Sequence, residues 1–226
     1  LGYTAHRKII ERVGRGGVQL SSPSASSFAF YNSVAHHKRA VEVRRGDMME
    51  RVPLGNTGLI VSRLGLGLAE IGWYDGPDAI AKASRILNTA LDAGINFLDT
   101  AECYDLSEDL IGRTVAHRRR EFLLATKVGH VPHRMSGTPW TGEIVSASID
   151  NSLKLLKTDY VDLLQVHAYD APHPMPDQVL RAVEDARDAG KTRFIGFSQE
   201  NEEADWALER GLFDTLQTAF SLVDQR

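Results

Sequence analysis

Four polar side chains in this chain have the types and spacing needed to move a proton onto a carbonyl oxygen: Asp99, Tyr104, Lys127 and His167. Two of them share one run, Phe97-Leu98-Asp99-Thr100-Ala101-Glu102-Cys103-Tyr104, which opens as an apolar strand and ends in carboxylates, a hydroxyl, a thiol and a phenol. A phenol alone is a weak acid at neutral pH. An ammonium beside it favours the phenolate and eases donation, a carboxylate holds that ammonium in place, and an imidazole can orient or polarise the carbonyl oxygen. Such a set suits reduction of a C=O by hydride, or the reverse oxidation of an alcohol. Taken singly, each residue has a plainer reading. Asp99 could cap a turn, Lys127 could reach solvent from a strand end, His167 could be a core histidine and Tyr104 could pack on a helix. Only the four together point to this chemistry. Lys127 by itself would also serve a second enzyme class, a Schiff-base lyase in which it is the nucleophile.

The elements needed to bring these groups together follow from the pattern after residue 50. Arg51 to Leu54 and Leu59 to Ser62 flank the turn Asn56-Thr57-Gly58, a short hairpin. Strands are then expected at Leu64 to Ala69, Ile95 to Thr100, Phe122 to Val128, Tyr160 to His167, Thr192 to Ser198 and Thr215 to Ala219. Helices are expected between them at Pro77 to Ala93, Ser107 to Ala116, Thr141 to Leu156, Pro176 to Ala189 and Glu202 to Gly211. Strands alternating with helices at this spacing imply right-handed parallel crossovers. In a (β/α)8-type barrel, catalytic groups sit at the carboxyl ends of the strands, where Asp99 and Tyr104, Lys127 and His167 follow three successive strands. Six strands fall short of an eightfold barrel by about 80 residues. The sequence is therefore read as a barrel with an N-terminal hairpin, truncated after the sixth strand, whose open edges would present unpaired backbone.

Residues 1–50 have a different character, rich in Ser, His and Arg and without a sustained period, and are expected to be a disordered extension of a domain spanning 51–226. A targeting peptide is conceivable there, but the chain begins with Leu and Met48-Met49 lies just before the regular pattern, so additional upstream sequence is the simpler reading.

Composition narrows the partners. The chain is 25% charged and 42% hydrophobic with a net charge of −4, which argues against a nucleic-acid partner, and no apolar run is long enough for a membrane span. The single cysteine, Cys103, can form no disulfide within the chain, which fits a cytoplasmic setting. Cys103 reads as a small buried filler. His130 and His133 flank Val131-Pro132, yet no carboxylate or cysteine nearby in the sequence completes a ligand set, so no metal is expected. Trp73, Tyr74 and Trp140 fall in loops on the catalytic rim, where they could wall a substrate pocket.

Several segments together resemble the aldo-keto reductase family: VPLGNTGLIVS at 52–62, LGLG at 64–67, FLDTAECY at 97–104, ATK at 125–127, DYVDLLQVH at 159–167 and GKTRFIGFS at 190–198. They stand in the family's order and cover roughly 51–226. The resemblance implies a barrel closed at the bottom by the hairpin, NADPH as the usual cofactor with NAD as an option, and a small carbonyl or sugar substrate. It also implies a tetrad of Asp99, Tyr104, Lys127 and His167, with Tyr104 as general acid/base. Ser198, Gln199 and Gln217 match the family's grip on the nicotinamide carboxamide, Gln199 replacing the usual Asn. Asp105 stands where relatives commonly have Gly. The opening segment and LLQVH are most similar to the branch of sugar dehydrogenases and pyridoxal reductases. Another implied alternative is a non-catalytic, NADP-binding regulatory subunit, as in family members associated with ion channels.

Overall fold

Alternation along the strands decides both the architecture and the position of the site. The computed structural model describes residues 49–132, 135–168 and 170–220, together with the backbone of two strands at 7–12 and 29–32. The strands are β1 (Arg7–Arg12), β2 (Ala29–Asn32), β3 (Arg51–Pro53), β4 (Ile60–Ser62), β5 (Leu64–Gly67), β6 (Phe97–Asp99), β7 (Leu123–Val128), β8 (Val161–His167), β9 (Thr192–Ser198) and β10 (Thr215–Phe220). The helices are α1 (Ala79–Asp92), α2 (Ser107–Thr114), α3 (Gly142–Leu156), α4 (Asp177–Asp188) and α5 (Asn201–Arg210). From β5 to β10 the neighbours are parallel and in chain order, each crossover carrying one of the five helices. This is the six-stranded parallel wall of a (β/α)8-type barrel, with helices laid on its outer face, as the spacing predicts.

The outer face is apolar because the helices present it with one stripe each. In α1, Ala79, Ala83, Leu87, Ala90 and Leu91 are buried, at helical spacing. They join Leu98, Leu124, Leu164, Val166, Ile195, Phe197 and Leu216 from the strands in the main core. The inner face has opposite parity and begins apolar. Phe97, Ala125 and Leu163 pack with Val52, Leu54, Leu59 and Val61 of the β3–β4 hairpin, and Leu123 and Phe194 lean on the same cluster. The hairpin thus plugs the amino-terminal end of the barrel with side chains. Two to four residues further along each strand, the same inner face turns polar.

Two short strands fall within the N-terminal stretch. β1 runs antiparallel to β10, and β2 runs parallel to β5, so the two outer edges of the parallel wall are each covered. The rest of that stretch, the tail from 221, and His133 lie outside the described residues. No helix among the described residues is long and apolar enough to cross a membrane.

Phe97 is fully buried where the hairpin plug meets the wall. Phe97→Ala is expected to cost about 3–5 kcal/mol of stability, read as a lower midpoint in urea denaturation.

Candidate active site

The polar inner layer forms because each strand repeats its inward parity once more after the apolar plug. Phe97 is followed by Asp99, Ala125 by Lys127, Leu163 by Gln165 and then His167, Phe194 by Gly196 and then Ser198, and Thr215 by Gln217. Strand register aligns them, with Lys127 opposite Gln165, His167 opposite Ser198, and Gln217 opposite Ser198. Gly196 is what leaves room. A Cβ there would lie 2.4 Å from Thr215 Oγ1 and 3.1 Å from Gln165 Cγ.

At the centre is a buried ion pair. Lys127 is fully buried, and its Nζ donates to Asp99 Oδ2 at 2.7 Å and to the Thr100 carbonyl at 2.9 Å. Asp99 also accepts from Gln165 Nε2 at 3.2 Å and from Gln217 Nε2 at 3.4 Å. The Lys127 ammonium stands 5.1 Å from the centroid of the Tyr104 ring. The rings of Tyr104 and His167 meet edge to face at 6.2 Å. The structure therefore brings Asp99, Tyr104, Lys127 and His167 into one cluster.

Tyr104 is held by its loop. A Cβ on Gly72 would fall 2.1 Å from the Tyr104 carbonyl oxygen, so the turn after β5 touches this backbone directly. Ser107 N donates to that same carbonyl at 2.8 Å, and Leu106 N donates to the Gly72 carbonyl at 3.2 Å. Asp105 has φ +42°, in the left-handed region that costs a residue with a Cβ on the order of 1 kcal/mol. That backbone shape accounts for a glycine being the easier choice at this position.

Glu102 and Glu108 point away from the barrel interior into a second buried polar cluster, which the sequence reading does not single out. Glu102 accepts from the His130 backbone N–H at 2.8 Å and from the Ser148 hydroxyl, and Glu108 accepts from Thr126 Oγ1 at 2.6 Å. Burial pushes the Glu102 carboxyl well above the usual carboxylate range, with neighbouring Glu108 adding to the effect and the backbone N–H groups of His130 and Gly129 opposing it. Burial likewise raises Glu108 to about 7, against the Thr126 hydrogen bond and the Lys127 charge.

The residues matched to a nicotinamide grip lie close together on the last two strands. Ser198, at the carboxyl end of β9, and Gln217, in the middle of β10, are buried and paired in register. Gln217 Oε1 and Gln165 Oε1 are buried without a hydrogen-bond partner among the described residues, so the layer holds acceptors for an incoming amide N–H. This fits a carboxamide-bearing ring. Gln199 is differently engaged: its Nε2 donates to the Ala168 carbonyl at 2.6 Å, and its Oε1 accepts from Glu200 N at 3.0 Å.

Of the three rim aromatics, Trp73 is 64% exposed and Tyr74 leans on the main core. Trp140 is buried, at φ +63°, with its ring 5.1 Å from that of His130 and against Gly129. His130 in turn lies 5.3 Å, ring to ring, from His167, whose Nδ1 is 3.7 Å from Cys103 Sγ.

This wall, hairpin and polar layer belong to a (β/α)8-type barrel, and residues 63–226 match the model of the aldo/keto reductase family. The chain belongs to that family. It is 38% identical over 154 residues to L-galactose dehydrogenase of Arabidopsis thaliana, covering 64% of this chain and 47% of that one. It is 34% identical over 179 residues to 6-dehydroglucose reductase of Novosphingobium aromaticivorans, covering 73% and 56%. Among solved structures, the holo form of the aldo-keto reductase AKR11C1 from Bacillus halodurans matches with a TM-score of 0.58 at 34% identity, over 66% of this chain and 50% of that one. The chain spans about half the length of the curated relatives it matches.

Because the fold favours the neutral Glu108 carboxyl, its contribution to stability is complete below the ordinary value of 4.5 and is lost as pH rises through about 7. Across that window the native protein should lose on the order of 2–3 kcal/mol relative to Glu108→Gln, measured as the gap between their denaturation midpoints at successive pH values.

Proposed function

We propose that this protein transfers a hydride between a nicotinamide cofactor, NADPH by the family resemblance, and a carbonyl carbon, with Tyr104 as general acid/base. The observation that carries the reading is the buried Lys127 ammonium, tied to Asp99 at 2.7 Å and standing 5.1 Å from the Tyr104 ring centroid. When bound, the cofactor supplies the hydride. This chain's residues handle the proton. In reduction, Tyr104 Oη gives its proton to the carbonyl oxygen, and Lys127 stabilises the negative charge left on the phenol oxygen. Asp99 keeps Lys127 in place and is itself steadied by Gln165 and Gln217. His167 orients the substrate oxygen, and the contact of its Nδ1 with Cys103 helps set the ring. Ser198 and Gln217 would hold the carboxamide, the buried Gln217 Oε1 accepting from its amide.

The pairing of Lys127 with Asp99 and the Thr100 carbonyl disfavours a Schiff-base role, since the nucleophile would have to leave two buried acceptors. The substrate is proposed to be a polyhydroxylated carbonyl compound. That follows the sequence's likeness to the sugar-dehydrogenase branch and the printed names of two relatives, L-galactose dehydrogenase and 6-dehydroglucose reductase.

Tyr104→Phe should lower kcat for aldehyde reduction by about 10²–10⁴-fold while NADPH still quenches or shifts tryptophan fluorescence as in the parent protein. A variant that turns over at the parent rate would remove Tyr104 from the proton path.

A further inference from the structure

We propose that Cys103, His130 and His167 form a binding site for a thiolate-preferring divalent cation, zinc foremost, at the catalytic rim. One ligand atom from each lies within 4.8 Å of the others, and all three residues are half-buried. They come from separate parts of the chain: the loop after β6, the loop after β7 and the end of β8. No spacing in the sequence announces them. A tetrahedral zinc with one sulfur and two imidazole ligands places those atoms roughly 3.3–3.6 Å apart. The Cys103 Sγ to His167 Nδ1 separation of 3.7 Å is already near that value. His130 needs only a small closing movement.

The surroundings hold His130 for such a role. Its backbone N–H is tied to Glu102 Oε1 at 2.8 Å, and its ring is braced by Trp140 at 5.1 Å. Its Nδ1 is buried and makes no hydrogen bond among the described residues, an orphaned acceptor that a cation would satisfy. One thiolate and two neutral imidazoles are a donor set that suits zinc over magnesium or calcium, and three protein ligands leave a fourth position for water. On binding, the thiol proton is released to solvent and the oxidation states are unchanged. The consequence rests on the oxidoreductase reading above: a cation held through His167 Nδ1 fixes the ring that orients the substrate oxygen and lowers turnover of the carbonyl compound.

The test is an absorption titration of the full chain with Co²⁺, a spectroscopic stand-in for zinc. Cys103 is the chain's only cysteine, so a thiolate-to-cobalt charge-transfer band identifies its sulfur. Expected are one equivalent of cobalt, that band with the visible bands of tetrahedral cobalt, and an affinity weakened about 10–100-fold or more in His130→Ala and His130→Gln. Absence of the band at saturating cobalt overturns the proposal, and so does a band whose affinity is unchanged in whichever His130 variant folds. Cobalt binding of the expected kind in a protein without NADPH-dependent turnover would leave the site standing and defeat only the oxidoreductase reading. Normal Tyr104-dependent turnover with no thiolate band would do the opposite.

Discussion

The buried pair of Lys127 and Asp99 is the interaction on which the rest of this structure depends. Taking an ammonium and a carboxylate out of water is costly, and a buried pair is retained only where its geometry and surrounding hydrogen bonds are good. Here Lys127 is wholly enclosed, and between them the two ions engage one another, the Thr100 carbonyl, Gln165 and Gln217. Each of those partners arrives on a different strand or strand end. The strands from β6 to β10 must therefore be in this order and register before the pair can be satisfied. A well-packed apolar layer would serve stability as well or better, so a charge retained at this depth supports the role proposed for Lys127 beside the phenol.

The layering of the barrel follows from the same requirement. Apolar side chains of the inner face are spent on the hairpin plug, with Phe97, Ala125 and Leu163 against Val52, Leu54, Leu59 and Val61. The next inward positions are then free to be polar, because the plug keeps water from the bottom and the helices cover the outside. Gly196 completes the layer by omission: with any side chain there, Thr215 and Gln165 could not both keep their positions. Outside the barrel, a second polar cluster of Glu102, Glu108, Thr126 and Ser148 ties the loop of Tyr104 to that of His130. Two adjacent residues of one run thus serve opposite sides, Glu102 outward and Cys103 toward His167.

Most of the wall could be read from the sequence, because its signals are periodic. The hairpin, six strands and five helices lie within a few residues of their expected bounds, and the strand-end rule brings Asp99, Lys127 and His167 to one rim. What escapes is set by side-chain direction in loops and by contacts between distant segments. Gln165 could have been found, since it shares inward parity with His167 two residues on. The convergence of Cys103 with His130 could not, because both lie in loops where no period fixes a direction. Trp140 is expected at a pocket wall from its place in a rim loop, but its left-handed backbone and the contact of its ring with Gly129 and His130 carry no periodic signal in the sequence. Nor does composition reveal that Arg7–Arg12 and Ala29–Asn32 pair with the edges at β10 and β5, since pairing is decided by the unfilled backbone of the partner strand.

Isotope transfer separates hydride transfer from Schiff-base chemistry at Lys127. The protein would be given NADPH deuterated at the reactive C4 position with a polyhydroxylated aldehyde, and the product examined by mass spectrometry and NMR. Hydride transfer predicts one deuterium on the former carbonyl carbon, with the hydroxyl proton drawn from solvent through Tyr104. Product formed without deuterium at that carbon, or an aldehyde trapped on Lys127 by borohydride, would contradict the account.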